Sequence, residues 1–303
     1  MRMNTMQYAS VFMTELDKQL VEKSTTGWME DNAAQVQYNG GAEVKIPKMT
    51  MSGLGDYDRN SGFAQGAVAV TYETRTLTQD RGRTFQLDAM DVDETNFAAT
   101  AGSVMREFQS TKVIPEIDAY RYSKIYELAE AAGKTKTYAA AADTVFENLM
   151  NDITAVRDVA GECTEIVIAM NAKVAGMLDL AKGGTNVLQS GFFEQGKAEI
   201  KVKEIDGCPI IRVPSARFKT AYTFMDGVEN AEGGFAAAAD AKGINWIVMV
   251  KQAPVAISKT DVTRIFDPMT NQNANAWKID YRKYHDLWIM DNGMDGVLVS
   301  VGE

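Results

Sequence analysis

The chain has 303 residues, 46% hydrophobic and 24% charged, an ordinary globular balance with apolar mass for one large domain or two modest ones. With 31 basic residues against 41 acidic ones the formal net charge is −10. That argues against a protein that grips nucleic acid by counterion release, and it favours solubility at high local concentration.

From the N-terminus, Tyr8, Val11, Phe12, Leu16 and Leu20 fall near helical spacing and predict an amphipathic helix that ends around Ser24 to Gly27. The stretch has no continuous apolar h-region, and no run of about 18 apolar residues occurs anywhere, so neither a secretory signal nor a membrane span is expected. No Asn-x-Ser/Thr sequon occurs either. The polar, glycine-ended "DNAAQVQYNGG" (Asp31 to Gly41) reads as an extended arm.

Strand grammar follows. "EVKIPKMTM" alternates through Val44 and Ile46, with Pro47 marking an edge or irregular strand. A Gly-rich, charged loop spans Ser52 to Gly66. "AVAVTYETRTLTQ" then places Val68, Val70, Tyr72, Thr74 and Thr76 on one face, and Glu73 and Arg75 on the other. The two runs predict a projecting two-stranded ribbon. An isolated hairpin is marginally stable, so the ribbon is expected to rest on a neighbouring subunit. "DRGR" (Asp80 to Arg83) reads as a tight turn at Gly82, and "TFQLDA" as a short return strand.

The period then becomes helical through Phe97, Ala101, Val104, Met105 and Phe108. Pro115 breaks or kinks that run and starts a second helix that ends at Gly133. A third helix is expected over "AADTVFENLMNDITAVRD". The remainder reads as α+β: a buried strand "TEIVIAM", a short helix capped by Asn171, and a hairpin turning at Asp206-Gly207. Buried strands "GINWIVMV" and "PVAISK" follow, then closing strands around an Asn292-Gly293 turn. No internal repeat is visible.

The chemistry-bearing candidates are few. Cys163 and Cys208 lie far apart and outside any CxxC pair, which favours two buried free thiols in a reducing cytosol over a single bridge or a zinc knuckle. His285 is the one histidine, and it shares a strand face with Tyr281, Lys283 and Leu287. It is expected to be half-exposed rather than a catalytic base. "AAGKT" (Ala131 to Thr135) has Leu128 where a P-loop needs glycine, and "GLGDYD" lacks the third glycine and the following helix of a dinucleotide fingerprint.

The densest acidic stretch, "TFQLDAMDVDETNF", holds Asp88, Asp91, Asp93 and Glu94. A calcium loop from Asp91 would need glycine and glutamate where Asn96 and Gly102 stand. Asp91 and Glu94 instead have capping-box spacing at a strand-to-helix change, with Asp93 adding charge at the helix start. The helix-cap reading is therefore preferred over a metalloenzyme that uses Asp88, Asp91 and Asp93.

The order of elements, together with "VKIPKMTMSGLGDYDR", "DRGRTFQLDAMDVDET" and "IPEIDAYRYSKI", resembles the major capsid protein of tailed bacteriophages. That fold is shared with the herpesvirus shell floor and encapsulins. The resemblance implies an α+β chain divided into an N-terminal helix and arm (1–40), an extended β-ribbon loop (41–92) and a peripheral domain with a spine helix (93–159). An axial domain (160–253) and C-terminal peripheral strands (254–303) complete it. It implies no enzyme and no cofactor. The protein would form pentamers and hexamers that close into an icosahedral shell in the virion, assembled in the host cytoplasm. The shell encloses double-stranded DNA without sequence-specific contact, with scaffolding, portal and decoration proteins as partners and no membrane. An encapsulin-type nanocompartment is the alternative.

About 40 residues precede the ribbon, so scaffolding is expected to be a separate protein or already removed. The presumed loop tip "GLGDYDRNSGF" has no lysine, so no lysine-mediated weld between subunits is expected. Asp56, Asp58 and Arg59 either make inter-subunit ion pairs or form a plain solvated tip. Glu73, Arg75, Asp80, Arg81 and Arg83 are further inter-subunit candidates. The 17 methionines suit either a subunit adapting to several environments or ordinary core filling.

Overall fold

The computed structural model describes residues 24–35, 37–38, 43–59, 62–89, 101–162, 164–181, 188–195, 198–229, 232–271 and 274–303. The helix expected over residues 8–20, Cys163, and the acids Asp91, Asp93 and Glu94 lie outside the described residues.

A 3₁₀ stretch, Gly27–Gln35, leads into β1 (Gln37–Tyr38), β2 (Glu43–Met51), β3 (Val68–Thr76) and β4 (Gln79–Asp88). Next come α1 (Ala101–Phe108), a π-helical turn (Gln109–Val113) and α2 (Ile114–Ala131). The mixed region holds β5 (Thr135–Thr137), α3 (Val145–Ala160), β6 (Ile166–Asn171), α4 (Ala172–Leu180), β7 (Gln189–Gln195), β8 (Ala198–Ile205) and β9 (Cys208–Val213). β10 (Tyr222–Phe224), β11 (Phe235–Ala237), β12 (Ile244–Val250), β13 (Pro254–Phe266), β14 (Ala276–Ile289), α5 (Asp291–Met294) and β15 (Val297–Val301) complete the chain.

Two sheets carry the body. A mixed seven-stranded sheet runs β5-β15-β12-β6-β9-β8-β7, and its central strands are covered on both faces. Every residue of β6 is buried, because alternate side chains enter different cores. Val167 and Ala169 pack with Tyr122, Ile125 and Ala129 of α2, whereas Ile166, Ile168 and Met170 pack with Leu149 and Ile153 of α3 and Val174 of α4. A second sheet, β13-β14-β4, buries Ile279 and Tyr281 under Met105 of α1 and Ile117 of α2.

Local chemistry accounts for most boundaries. Asn171 caps α4 by accepting from the Lys173 amide at 3.0 Å. Asp206 (φ 51°) and Gly207 (φ 72°) make the expected two-residue turn between β8 and β9. α2 ends in a Schellman arrangement, with the Gly133 and Lys134 amides donating to Glu130 and Ala129 carbonyls at 3.0 and 2.8 Å. Pro115 does not break the helical run. The chain stays helical from α1 into α2, and the π turn just before it absorbs the missing amide.

Three expectations need correction. "DRGR" is not a turn: Asp80 to Arg83 lie inside β4, which pairs along its whole length with β14, Gly82 opposite Arg282. Gly82 serves close approach there, since a Cβ would lie 2.7 Å from the Tyr281 carbonyl oxygen. Asn292-Gly293 is not a hairpin turn either. It sits in α5, which links β14 of one sheet to β15 of the other. His285 is buried rather than half-exposed, because its strand face lies against α2 instead of solvent.

A buried polar hub joins these layers. Asp118 of α2 is fully buried and accepts from Ser24 Oγ (2.8 Å), Thr26 Oγ1 (2.7 Å), the Thr25 amide (3.2 Å) and Arg217 Nη1 (3.1 Å). One turn on, Arg121 donates to the Thr26 carbonyl at 3.0 Å and pairs with Glu30. Glu30 also faces Lys283, which lies 2.8 Å from Asp261. Burial alone would raise the Glu30 carboxyl, but Arg121 and Lys283 outweigh it and hold the group well below the usual carboxylate range.

Asp118→Ala should lower unfolding stability by about 3–5 kcal/mol in urea titration, because it leaves the buried Ser24 and Thr26 hydroxyls and the half-buried Arg217 without their shared partner. Asp118→Asn should lose less. The depressed Glu30 carboxyl contributes stability that is full above its unfolded value of about 4.3 and is lost as pH falls through and below that value. Glu30→Gln should lower stability at neutral pH and flatten the acid limb of a Tm-versus-pH curve; an unchanged acid limb would rule the pair out as its source.

Candidate assembly surface

β2 and β3 pair antiparallel from Glu43↔Thr76 out to Met51↔Val68, forming the projecting ribbon. The register sorts its side chains onto two faces. On the inner face at the root, Val44 and Ile46 are buried against Val255, Ile257 and Trp288, with Leu77 closing the cluster. Farther out, Lys48 reaches Asp291 at 2.5 Å. On the outer face Met49 stands opposite Val70 and Met51 opposite Val68, with Tyr72 next along β3. These side chains are exposed: Met51 by 68%, Val68 by 65% and Tyr72 by 54%.

This inverts the usual order, in which the apolar face of a ribbon turns inward. Beyond the root, Lys48 on the inner face meets Asp291, while the apolar row of Met49, Met51, Val68, Val70 and Tyr72 lies on the opposite face and is exposed. β3 is also the outer strand of its sheet, so one row of its backbone groups has no strand partner among the described residues.

The tip, residues 52–67, is closed by Ser52 and Ala67, whose backbones bond at 3.0 Å, and by reciprocal bonds between Asp58 and Gly62 at 2.7 and 3.2 Å. Tyr57 and Phe63 rings meet at 4.9 Å, and both they and Leu54 are exposed. Asp56, Asp58 and Arg59 are exposed here as well.

The remaining sequence candidates lie at or below the ribbon root and are engaged within the chain. Glu73 pairs with Arg75 on the same strand. Asp80 accepts from Arg282 Nε and Nη2 at 2.8 and 2.5 Å, which holds its carboxyl below the usual range. Arg81 pairs with Glu116, donates to the Gly234 carbonyl at 3.1 Å, and lies 5.7 Å from the Phe224 ring centroid. Arg83 sits against the 225–234 loop, where a Cβ on Gly227 or Gly233 would come within 3.1 or 3.4 Å of its guanidinium. Both glycines have positive φ. These basic residues thus hold the β10–β11 loop onto β4. The helix-cap pair, Asp91 and Glu94, lies outside the described residues, and Asp88 is exposed near the end of β4.

Among the described residues no three His, Cys, Asp or Glu side chains converge as a metal site. Cys208 is a buried free thiol whose pKa is raised by burial. No described helix is long and apolar enough to cross a membrane.

The hub residues were not among the sequence candidates. Their signal was faint: Asp118 and Arg121, three apart, fall between Ile117, Ala119, Tyr120 and Tyr122 on the helix. The outer ribbon face was legible as alternation, but alternation does not say which face meets the body.

No family model matches the sequence, and no curated protein matches it. Solved structures do. The mature capsid of bacteriophage PhiM1 is similar with a TM-score of 0.58 at 14% identity, over 87% of this chain and 83% of that one. The capsid of cyanophage P-SCSP1u gives 0.55 at 11%, over 87% and 84%. A Gordonia phage Cozz chain gives 0.54 at 16%, over 86% and 81%. The chain has the tailed-phage capsid fold that its sequence resembles.

Ile46→Ala should cost about 2–4 kcal/mol of local stability at the ribbon root, read as faster tryptic cleavage at Lys45 and Lys48. Lys48→Ala, which removes only an exposed ion pair, should change global stability by less than about 1 kcal/mol.

Proposed function

We propose that the chain is the major capsid protein of a double-stranded DNA phage, a structural subunit that closes through pentamers and hexamers into an icosahedral shell. The observation that carries this is the outward apolar face of the β2–β3 ribbon, on a chain whose fold matches phage capsids over most of its length. Exposed apolar surface that a monomer leaves uncovered is what an interface between copies buries. The occupant of that face is a second copy, which receives the ribbon while its own ribbon extends to the next.

Under this reading the protein performs no catalysis, and its work is geometric. Residues 43–76 form the ribbon of the extended loop expected over 41–92, and β4 at its base pairs with β14. Residues 160–253 supply the central strands and β10–β11 of the axial region, joined by β5 and β15 from flanking segments. The net charge of −10 disfavours tight binding of the genome, consistent with DNA that is enclosed rather than gripped. Scaffolding, portal and decoration proteins are the expected partners, and the virion is the expected location.

Negative-stain microscopy of purified protein should display shells, or pentamers and hexamers; a monomer under all assembly conditions would overturn the proposal. Shells loaded with a cargo enzyme instead of DNA would redirect it to a nanocompartment. Replacing Leu54, Tyr57 and Phe63 together by serine should abolish shells while shifting monomer stability by no more than about 0.5 kcal/mol per site, since these side chains are exposed.

A further inference from the structure

The chain's single histidine stands where several elements meet. His285 on β14 is buried, its ring edge-to-face with Tyr120 of α2 at 5.5 Å, and its Nδ1 has no hydrogen-bond partner. The residue borders a cavity of about 630 Å³ that also touches β4, the π turn and the 225–234 loop, and this gives protons a route inward.

Charged groups surround it. Arg121 from α2, Lys283 from its own strand and Arg81 from β4 each disfavour a positive imidazole. Glu30, from the 3₁₀ stretch, favours one, but it is already paired with Arg121. The other carboxylates nearby are also engaged: Asp286 by Tyr120 and Thr78, Asp261 by Lys283, Glu116 by Arg81 and Asp80 by Arg282. Around the same cavity Arg83 and Lys112 add positive charge, and Asp226 and Glu232 add negative charge. Burial acts first, reinforced by Arg121 and Lys283, and keeps the folded imidazole neutral well below the ordinary histidine range.

We propose that His285 is an acid-sensitive lock on the polar hub: the closed hub admits only the neutral imidazole, and proton uptake opens it and releases residues 24–35 and the ribbon root. Opening restores an ordinary proton affinity near pH 6.5, so the closed state is fully favoured above that value and loses ground as pH falls below it. One coupled proton sets a limiting slope of about tenfold in the closed-to-open ratio per pH unit. No other side chain with an ordinary pKa titrates between about pH 5 and 7, because the chain has no second histidine. The consequence for a shell, weaker ribbon contacts in mild acid, rests on the capsid reading; the lock itself does not.

The test is hydrogen exchange on the soluble chain, corrected for the intrinsic pH dependence of exchange. Protection of residues 24–35 and the inner half of β2 should fall about tenfold between about pH 6 and pH 5, reversibly, and His285→Gln should abolish that fall. Unchanged protection in the wild type, or the same fall in the variant, overturns the proposal. Should His285→Gln fail to fold, the lone imidazole resonance decides alone. A closed-state signal that stays neutral beside a growing protonated minor signal supports the lock, and one signal titrating near pH 6.5 in the intact fold refutes it. Light scattering of assembled shells across the same range is read separately. A chain that never assembles sinks the capsid reading and leaves the exchange and imidazole results to judge the lock.

Discussion

Asp118 is a carboxylate with no exposure to water, and the organisation of the body depends on how it is satisfied. Its donors come from residues 24–26 and from Arg217, more than ninety positions away in opposite directions along the chain. A buried carboxylate that misses its partners loses several kcal/mol, so α2 is held at one rotation and one height relative to both stretches. Arg121 and Glu30 extend the same constraint to β14 through Lys283. Apolar packing alone would tolerate small slides of α2 over the sheets. The hub does not, and the segment it holds is the one that leads into the ribbon.

The ribbon is held at its root, where Val44, Ile46 and Leu77 pack against Val255, Ile257 and Trp288. Beyond Lys48 both faces are exposed, and the one opposite the root cluster carries the apolar row Met49, Met51, Val68 and Val70. Such a face is unfavourable in an isolated molecule and useful in an assembly, where a neighbour covers it. A rigid hub, a directed ribbon and an uncovered apolar face together suit a subunit whose contacts must repeat many times in closed symmetry.

Much of this architecture was readable in advance, and the failures have a common origin. Asn171 as a cap, the Asp206-Gly207 turn and the long α3 follow from local chemistry, which acts within a few residues. "DRGR" was misread because Gly82 looks the same in sequence whether it supplies a turn or a close backbone approach, and only the β14 partner, two hundred positions on, distinguishes them. Asn292-Gly293 has strong hairpin chemistry, yet β14 and β15 belong to different sheets, and the chain needs a helical turn there to pass between them. His285 alternates with solvent-type neighbours along its strand, but its face of β14 is covered by α2.

The sequence by itself determined the α+β class, the existence of the ribbon, the main helices and the resemblance to phage capsids, because periodicity and turn chemistry are local properties of the chain. Tertiary structure alone decided where those pieces point. It turned the apolar ribbon face away from the body and drew β4 out of the ribbon into the sheet with β14. It also gathered Asp118, Arg121, Glu30, Lys283 and His285 from three distant segments into one charged cluster. Local patterns state which residues share a face. The partner that face meets depends on contacts across tens to hundreds of residues, which no short window contains.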